Sequence, residues 1–132
     1  MKHAIVITHK NLGHSLLEAL VAITGNRDYL DAISNENMSL DSLIDSIEQK
    51  VTVIGDHPVY LMVEFKGGSP YLASRKVAMK HKNVYLLSGV NLPMLISFVM
   101  KKDMYSEKEL FDILKNDAFR GITGFNLETG EQ

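Results

Sequence analysis

The segment Ala4-Ile5-Val6-Ile7 is a short, uninterrupted apolar run, and the polar segment Thr8-His9-Lys10-Asn11 follows it directly. A strand with one face in water alternates apolar and polar residues, whereas a continuous apolar run is typical of a strand buried on both faces. Such strands occur in parallel sheets that helices cover on both sides. The opening segment therefore predicts a central strand of an α/β protein, with a histidine directly after its last residues.

Strand-like and helix-like patterns alternate along the rest of the chain. Further strands are predicted at residues 29–33, 59–63 and 84–87. Apolar residues at three- and four-residue spacing predict helices that begin near residues 12, 39, 70 and 92, and a last one begins at Ser106. Glu109, three residues after Ser106, completes a capping box. This alternation predicts a mainly parallel sheet with right-handed crossover helices, and residues 122–125 are a candidate edge strand.

The bulk composition restricts the class of protein. A chain of 132 residues with 45% hydrophobic content suits one domain over residues 1–132. A net charge of −2 gives no reason to expect nucleic acid or an anionic membrane as a partner. The absence of cysteine excludes disulfides, thiolate metal sites and cysteine nucleophiles. No signal peptide is recognisable, and the longest apolar stretch, residues 90–100, falls short of the roughly 20 residues of a membrane span. We therefore expect a soluble, cytoplasmic protein.

Three of the predicted strands end in polar or glycine-rich turns. These turns are Thr8-His9, residues 64–70 and residues 88–93. The carboxyl ends of parallel strands share one edge of the sheet, and ligands of open α/β sheets bind at that edge. We therefore expect His9 to lie within reach of Glu64 and of the turn Gly67-Gly68-Ser69-Pro70.

The glycine turn has the composition of an anion site. Glycines let the backbone approach a ligand closely. Ser69 suits the N-cap of the next helix and Pro70 suits its first position. A helix N-terminus presents unpaired N–H groups and favours an anion such as phosphate. A purely structural strand-to-helix turn is the alternative.

His9 and Glu64 are the candidate reactive pair. Imidazole can accept and release a group near neutral pH. A carboxylate at the neighbouring strand end can hold one ring nitrogen protonated, orient the ring and leave the other nitrogen as the nucleophile. The alternatives are a hydrogen-bonded spacer for His9 and a solvated charge for Glu64.

Three segments together resemble the mannose/fructose/sorbose-type IIA component of the bacterial sugar phosphotransferase system. They are residues 4–9 (AIVITH), residues 67–70 (GGSP) with Ala73-Ser74-Arg75 following, and residues 88–95 (SGVNLPML). The resemblance implies that His9 is the phosphorylated residue and that Glu64 orients it. It implies that backbone amides of Gly67 and Gly68 and the hydroxyl of Ser69 bind the transferring oxygens. It implies no need for a metal or cofactor.

The resemblance also implies partners and an architecture. His9 would receive the phosphoryl group from phospho-HPr and pass it to a IIB component, with membrane contact only indirectly through IIC and IID components. The fold would be a three-layer α/β/α sandwich with strand order 2-1-3-4. Two copies would form a homodimer by exchanging the C-terminal strand at residues 122–125. Sugar specificity would reside in the membrane components.

Two residues depart from the family pattern, and other functions stay open. Glu64 stands where the family usually has aspartate, and Lys10 stands where many members have glycine. Lys10 could steady a phosphoryl group, but we expect it to point to solvent.

Three alternatives to a phosphoryl carrier of sugar uptake stay open. They are the phosphotransferase subunit of a dihydroxyacetone kinase, a signalling domain of the kind found in transcriptional regulators, and a relative that kept only the fold.

Overall fold

The computed structural model describes all 132 residues. The predicted alternation is confirmed up to the fifth helix: β1 (His3–Thr8), α1 (Leu12–Thr24), β2 (Leu30–Ser34), α2 (Leu40–Ile54), β3 (Val59–Val63), α3 (Gly68–Ala78), β4 (Val84–Ser88), α4 (Leu92–Lys101) and α5 (Glu107–Arg120). Two short strands follow, β5 (Phe125–Asn126) and β6 (Gly130–Glu131). None of the helices is long and apolar enough to cross a membrane.

The first four strands form one parallel sheet in the order β2-β1-β3-β4. This is the order that the family resemblance implied. Strand β1 pairs with both β2 and β3, so that Ile7 lies between Ile33 and Val63. The strand order reverses between β1 and β3, and their carboxyl ends therefore form the switch point of the sheet.

Two hydrophobic clusters, one on each face of the sheet, explain the continuous apolar runs. Ala4 and Val6 belong to a cluster of 15 buried residues that includes side chains of α1, α4 and α5. Ile5 and Ile7 belong to a cluster of 12 buried residues that includes side chains of α2 and α3. Burial of one large aliphatic side chain contributes about 1.5–3 kcal/mol. The result is the predicted three-layer α/β/α sandwich, with β1 and β3 at its centre.

Short polar residues begin the helices where the sequence predicts them. Ser39 accepts a hydrogen bond from the amide of Ser42 at the start of α2. The capping box of α5 is present, with Ser106 and Glu109 each accepting from the other's backbone amide. These contacts satisfy amides that have no partner within the helix.

The C-terminal segment differs from the prediction. Of residues 122–125, only Phe125 lies in a strand, and β5 pairs with β6 in a separate antiparallel hairpin rather than with the main sheet. The apolar residues of this segment are solvent-exposed, at 74% for Ile122 and 90% for Leu127. The apolar pattern therefore does not mark an edge strand of the chain's own sheet. Exchange of this segment between two copies stays a prediction.

Two buried serines have opposite hydrogen-bonding environments. The hydroxyl of Ser97 donates to Asp117 Oδ2 at 2.6 Å, and Lys101 Nζ donates to the same oxygen at 2.7 Å. Both hydrogen bonds lower the pKa of Asp117, and the one from Lys101 has the larger effect. The hydroxyl of Ser74 in α3 is fully buried and has no hydrogen-bond partner. A buried hydroxyl without a partner is destabilising relative to a methyl group.

We therefore expect opposite effects from the same substitution at the two serines. Ser74→Ala should raise the free energy of unfolding by about 1 kcal/mol, because it removes an unpaired buried hydroxyl. Ser97→Ala should lower it by about 1 kcal/mol, because it removes a hydrogen bond to a carboxylate. Urea denaturation of the two variants and the wild type measures both values. A loss of stability in Ser74→Ala would contradict the assignment.

Candidate functional site

His9 and Glu64 meet at the switch point of the sheet. His9 follows β1, Glu64 follows β3, and His9 Nδ1 lies 2.7 Å from Glu64 Oε1. The same oxygen accepts the backbone amide of His9 at 2.9 Å. The Glu64 side chain is only 15% exposed, whereas that of His9 is 45% exposed. The sequence-predicted pair is thus in direct contact, with the carboxylate beneath and the imidazole at the surface.

The contact determines which ring nitrogen is free. A carboxylate oxygen can only accept, so Nδ1 carries the proton in this hydrogen bond. The other nitrogen, Nε2, then presents its lone pair. The second hydrogen bond, from the backbone amide, holds the carboxylate against the turn. The pair can therefore present one nucleophilic nitrogen in a fixed orientation.

The two glycines of the GGSP turn lie directly beside aromatic rings of the site. A Cβ on Gly68 would lie 3.0 Å from His9 Nε2 and 2.8 Å from its Cε1, and the backbone there has a φ of +74°. A Cβ on Gly67 would lie 2.7 Å from the ring of Phe65. A side chain at position 68 would be strained by the left-handed backbone and would displace the ring of His9, whereas a side chain at position 67 would displace only the exposed ring of Phe65. The turn therefore lies directly against the free nitrogen of His9.

Phe65 is a site residue that the sequence reasoning missed. Its ring stacks beside the imidazole of His9, with centroids 6.0 Å apart and planes at 28°. The side chain is 53% exposed. The sequence does place an aromatic residue directly after the strand-end carboxylate Glu64. The orientation of the Phe65 ring, however, depends on the space beside Gly67, which the sequence does not reveal.

The prediction that Ser69 is the N-cap of α3 is wrong. The helix begins at Gly68, Gly67 precedes it, and no side chain caps it. The two glycines let the chain turn earlier, so Ser69 falls inside the first turn. Its hydroxyl oxygen instead accepts a hydrogen bond from Asn35 Nδ2 at 2.9 Å. Asn35, which follows β2, is the second residue of this region that the sequence reasoning missed.

Lys10 is exposed, as expected, and its backbone is unusual. Its φ is +49°, in the left-handed region that favours glycine. The amide of Lys10 donates to Asn35 Oδ1 at 3.2 Å. The glycine found here in many members of the resembling family suits this turn because it carries no Cβ.

The site is an open surface rather than a cavity. A cavity of about 560 Å³ is lined by residues of β1, β2 and α2, including His3 at the start of β1 and Tyr29 just before β2, but by neither His9 nor Glu64. No group of three or more histidine, aspartate or glutamate side chains could hold a metal ion. The arrangement is therefore suited to chemistry on the imidazole with a group that another molecule presents.

Comparison with known proteins gives the family. The family model EIIA-man, described as PTS system fructose IIA component, matches residues 3–115. The chain belongs to this family. It is thus an EIIA-type component of the sugar phosphotransferase system, and the resemblance drawn from the three sequence segments is confirmed.

Individual relatives agree with the family match. The EIIA-type chain is 26% identical over 112 residues to the sorbose-specific EIIA component of Klebsiella pneumoniae, covering 83% of this chain and 82% of that protein. It is 28% identical over its whole length to the mannose-specific EIIAB component of Escherichia coli K12, of which it spans 38%.

Solved structures share the fold. The EIIA component from Streptococcus agalactiae superposes with a TM-score of 0.87 at 24% identity, covering 94% of this chain and 97% of that one. The mannose/sorbose-specific IIA subunit from Enterococcus faecalis gives a TM-score of 0.83 at 19% identity, covering 96% of this chain and 97% of that one.

The backbone at Lys10 leads to a stability prediction for this IIA component. A left-handed backbone conformation destabilises a residue that carries a Cβ by roughly 1–2 kcal/mol, and glycine removes this strain. Glycine also loses more conformational entropy on folding, which offsets about 0.5–1 kcal/mol of the stabilisation. Lys10→Gly should therefore raise the free energy of unfolding by roughly 0.5–1 kcal/mol. Lys10→Ala is the matched control, because it removes the charge and keeps the Cβ. An equal gain from Lys10→Ala, measured in the same denaturation series, would show that backbone strain is not the cause.

Proposed function

We propose that this IIA component carries a phosphoryl group on His9 Nε2, accepting it from phospho-HPr and donating it to a IIB component. The observation that carries the proposal is the 2.7 Å contact between His9 Nδ1 and Glu64 Oε1, because it leaves Nε2 as the free nitrogen. Nε2 also lies against Gly68, at the start of α3. The naming of the E. coli relative as an EIIAB component supports a IIB component as the acceptor.

The transfer needs no proton to leave the His9–Glu64 pair. The lone pair of Nε2 attacks the phosphorus of the phosphohistidine on HPr, and a new N–P bond forms. The N–P bond of the donor breaks, and its electron pair returns to the imidazole of the donor. The positive charge that develops on the ring of His9 lies next to the Glu64 carboxylate, which stabilises it. Transfer to the IIB component repeats the exchange, with the electron pair returning to Nε2.

The turn at the start of α3 suits the oxygens of the transferring group. No side chain caps α3, so the first amides of the helix have no side-chain partner. Such amides and the positive end of the helix dipole favour a phosphoryl group. The amide of Gly67 already donates to the carbonyl of Phe65 at 2.9 Å. In this proposal the amide of Gly68 and the hydroxyl of Ser69 therefore bind these oxygens, and Gly67, which the sequence also suggested, contributes through the shape of the turn. Groups already oriented before the reaction stabilise the transition state most effectively.

The open position of His9 supports exchange between proteins. The His9 side chain is 45% exposed, and the neighbouring Phe65 is 53% exposed. A docking partner can therefore reach Nε2 without opening a lid or a domain. A small substrate would instead need a pocket that encloses it.

Phosphorylation in a reconstituted system tests the role of His9. With phosphoenolpyruvate, enzyme I and HPr, the intact mass of the wild type should rise by one phosphoryl group. His9→Gln should stay unmodified, because glutamine offers no nucleophilic nitrogen. His14→Gln is the matched control, because His14 is exposed on α1 and should not affect the modification. Modification of His9→Gln at the wild-type level would overturn the proposal. Addition of a IIB component should then remove the group from the wild type.

The charge of Glu64 should matter more than the length of its side chain. Glu64→Gln should slow transfer from phospho-HPr by roughly 10²-fold, because it removes the charge that stabilises the developing imidazolium. Glu64→Asp keeps the charge and the residue type usual in the family, so the loss should be smaller. Rapid-quench measurement of a single transfer compares the two variants. Equal rates in Glu64→Gln and Glu64→Asp would remove the role assigned to this carboxylate.

A further inference from the structure

Asn35 lies between the two turns that form the His9 site. It is the first residue after β2, and its backbone amide donates to the carbonyl of Thr8 at 3.0 Å. This bond continues the parallel ladder between β1 and β2 by one residue. The backbone of Asn35 is therefore held beside the turn that carries His9, and its side chain is half-buried there.

The hydrogen bonds of Asn35 determine the orientation of its amide. The backbone N–H of Lys10 can only donate, and it lies 3.2 Å from Asn35 Oδ1. The carbonyl end of the amide therefore faces Lys10, and the NH₂ end faces Ser69 Oγ at 2.9 Å. Ser69 must accept at this contact, because an NH₂ group cannot accept a hydrogen bond from a hydroxyl.

This arrangement leaves the proton of the Ser69 hydroxyl free. A serine hydroxyl has one proton to donate and two lone pairs. One lone pair is occupied by Asn35, and no other protein group bonds to this hydroxyl. Ser69 follows Gly68, whose backbone lies against His9 Nε2. The free O–H is therefore available to an oxygen of a group attached to Nε2.

We infer that Asn35 is a positioning residue for phosphoryl transfer and that it acts through Ser69. It holds the hydroxyl of Ser69 as an acceptor, so that the proton of Ser69 is donated to a phosphoryl oxygen. The bond that Asn35 accepts from the amide of Lys10 fixes which end of its side chain faces Ser69. One residue thus connects the turn after β1 with the start of α3. This inference rests on the proposed role of His9 as the phosphoryl carrier.

A double-mutant cycle separates this role from a general structural one. The wild type, Asn35→Ala, Ser69→Ala and the double variant are compared in single transfers from phospho-HPr at several donor concentrations. Loss of one preorganised donor costs on the order of 10²-fold in an enclosed site. Because this site is half-exposed, we expect about 10-fold for Ser69→Ala, and about 3- to 10-fold for Asn35→Ala. The double variant should be no slower than Ser69→Ala alone.

The saturation behaviour supplies a second readout. If Asn35 orients a group that acts in the transfer step, Asn35→Ala should lower the plateau rate at saturating phospho-HPr. The concentration that gives half of that plateau should stay unchanged. Asn37→Gly is the matched control, because Asn37 lies in the same turn with a φ of +60° that glycine tolerates. This control should react at the wild-type rate.

A carboxylate at position 35 provides a sharper variant. Asn35→Asp keeps an acceptor for the amide of Lys10 but cannot donate to Ser69. The hydroxyl of Ser69 would then turn its proton to the carboxylate and present lone pairs to the phosphoryl group. Asn35→Asp should therefore be slower than Asn35→Ala when Ser69 is present. When Ser69→Ala is also present, the difference in rate between Asn35→Asp and Asn35→Ala should shrink to the effect of the added negative charge.

The outcomes distinguish this inference from the proposed function. If the wild type gains no phosphoryl group, the proposed function itself fails. If the wild type is phosphorylated and Asn35→Ala reacts at the wild-type rate, only the role of Asn35 is wrong. Multiplicative losses in the double variant would likewise overturn action through Ser69. A changed half-saturating concentration with an unchanged plateau would assign Asn35 to docking instead.

Discussion

The parallel register of β1 and β3 is the constraint on which the site depends. Ile7 pairs with Val63, and the chain leaves both strands within the next two residues. His9 and Glu64 therefore lie at the same edge of the sheet, and the strand residues directly before them are fully buried. A slip of one residue in either strand would exchange its two buried faces and separate the pair. The packing of the core thus determines the contact between the imidazole and the carboxylate.

The elements that could be predicted from the sequence are those with a local or periodic signal. Continuous apolar runs identified β1 and β3, and the capping box identified the start of α5. The positions of His9 and Glu64 followed from the rule that parallel strands end at one edge. The family resemblance then supplied the strand order and the class of protein, which the family match confirms.

The features that could not be predicted depend on contacts distant in sequence. Ser69 has the composition of an N-cap, but the conformation of Gly68 places it inside the helix. Asn35 has no motif of its own, because its partners come from the turn after β1 and from α3. The segment at residues 122–125 carries an apolar pattern that its own chain does not bury. Local propensity contains no information about such partners.

The open position of His9 restricts how the protein can work with its proposed partners. A single exposed imidazole offers one surface, so a donor and an acceptor cannot occupy it together. Each partner must leave before the next can dock, and dissociation then contributes to every cycle of transfer. Very tight binding to either partner would slow the relay, because slow release usually accompanies high affinity. The shallow surface around His9 and Phe65 is consistent with brief encounters of moderate strength, in which speed of exchange matters more than residence time.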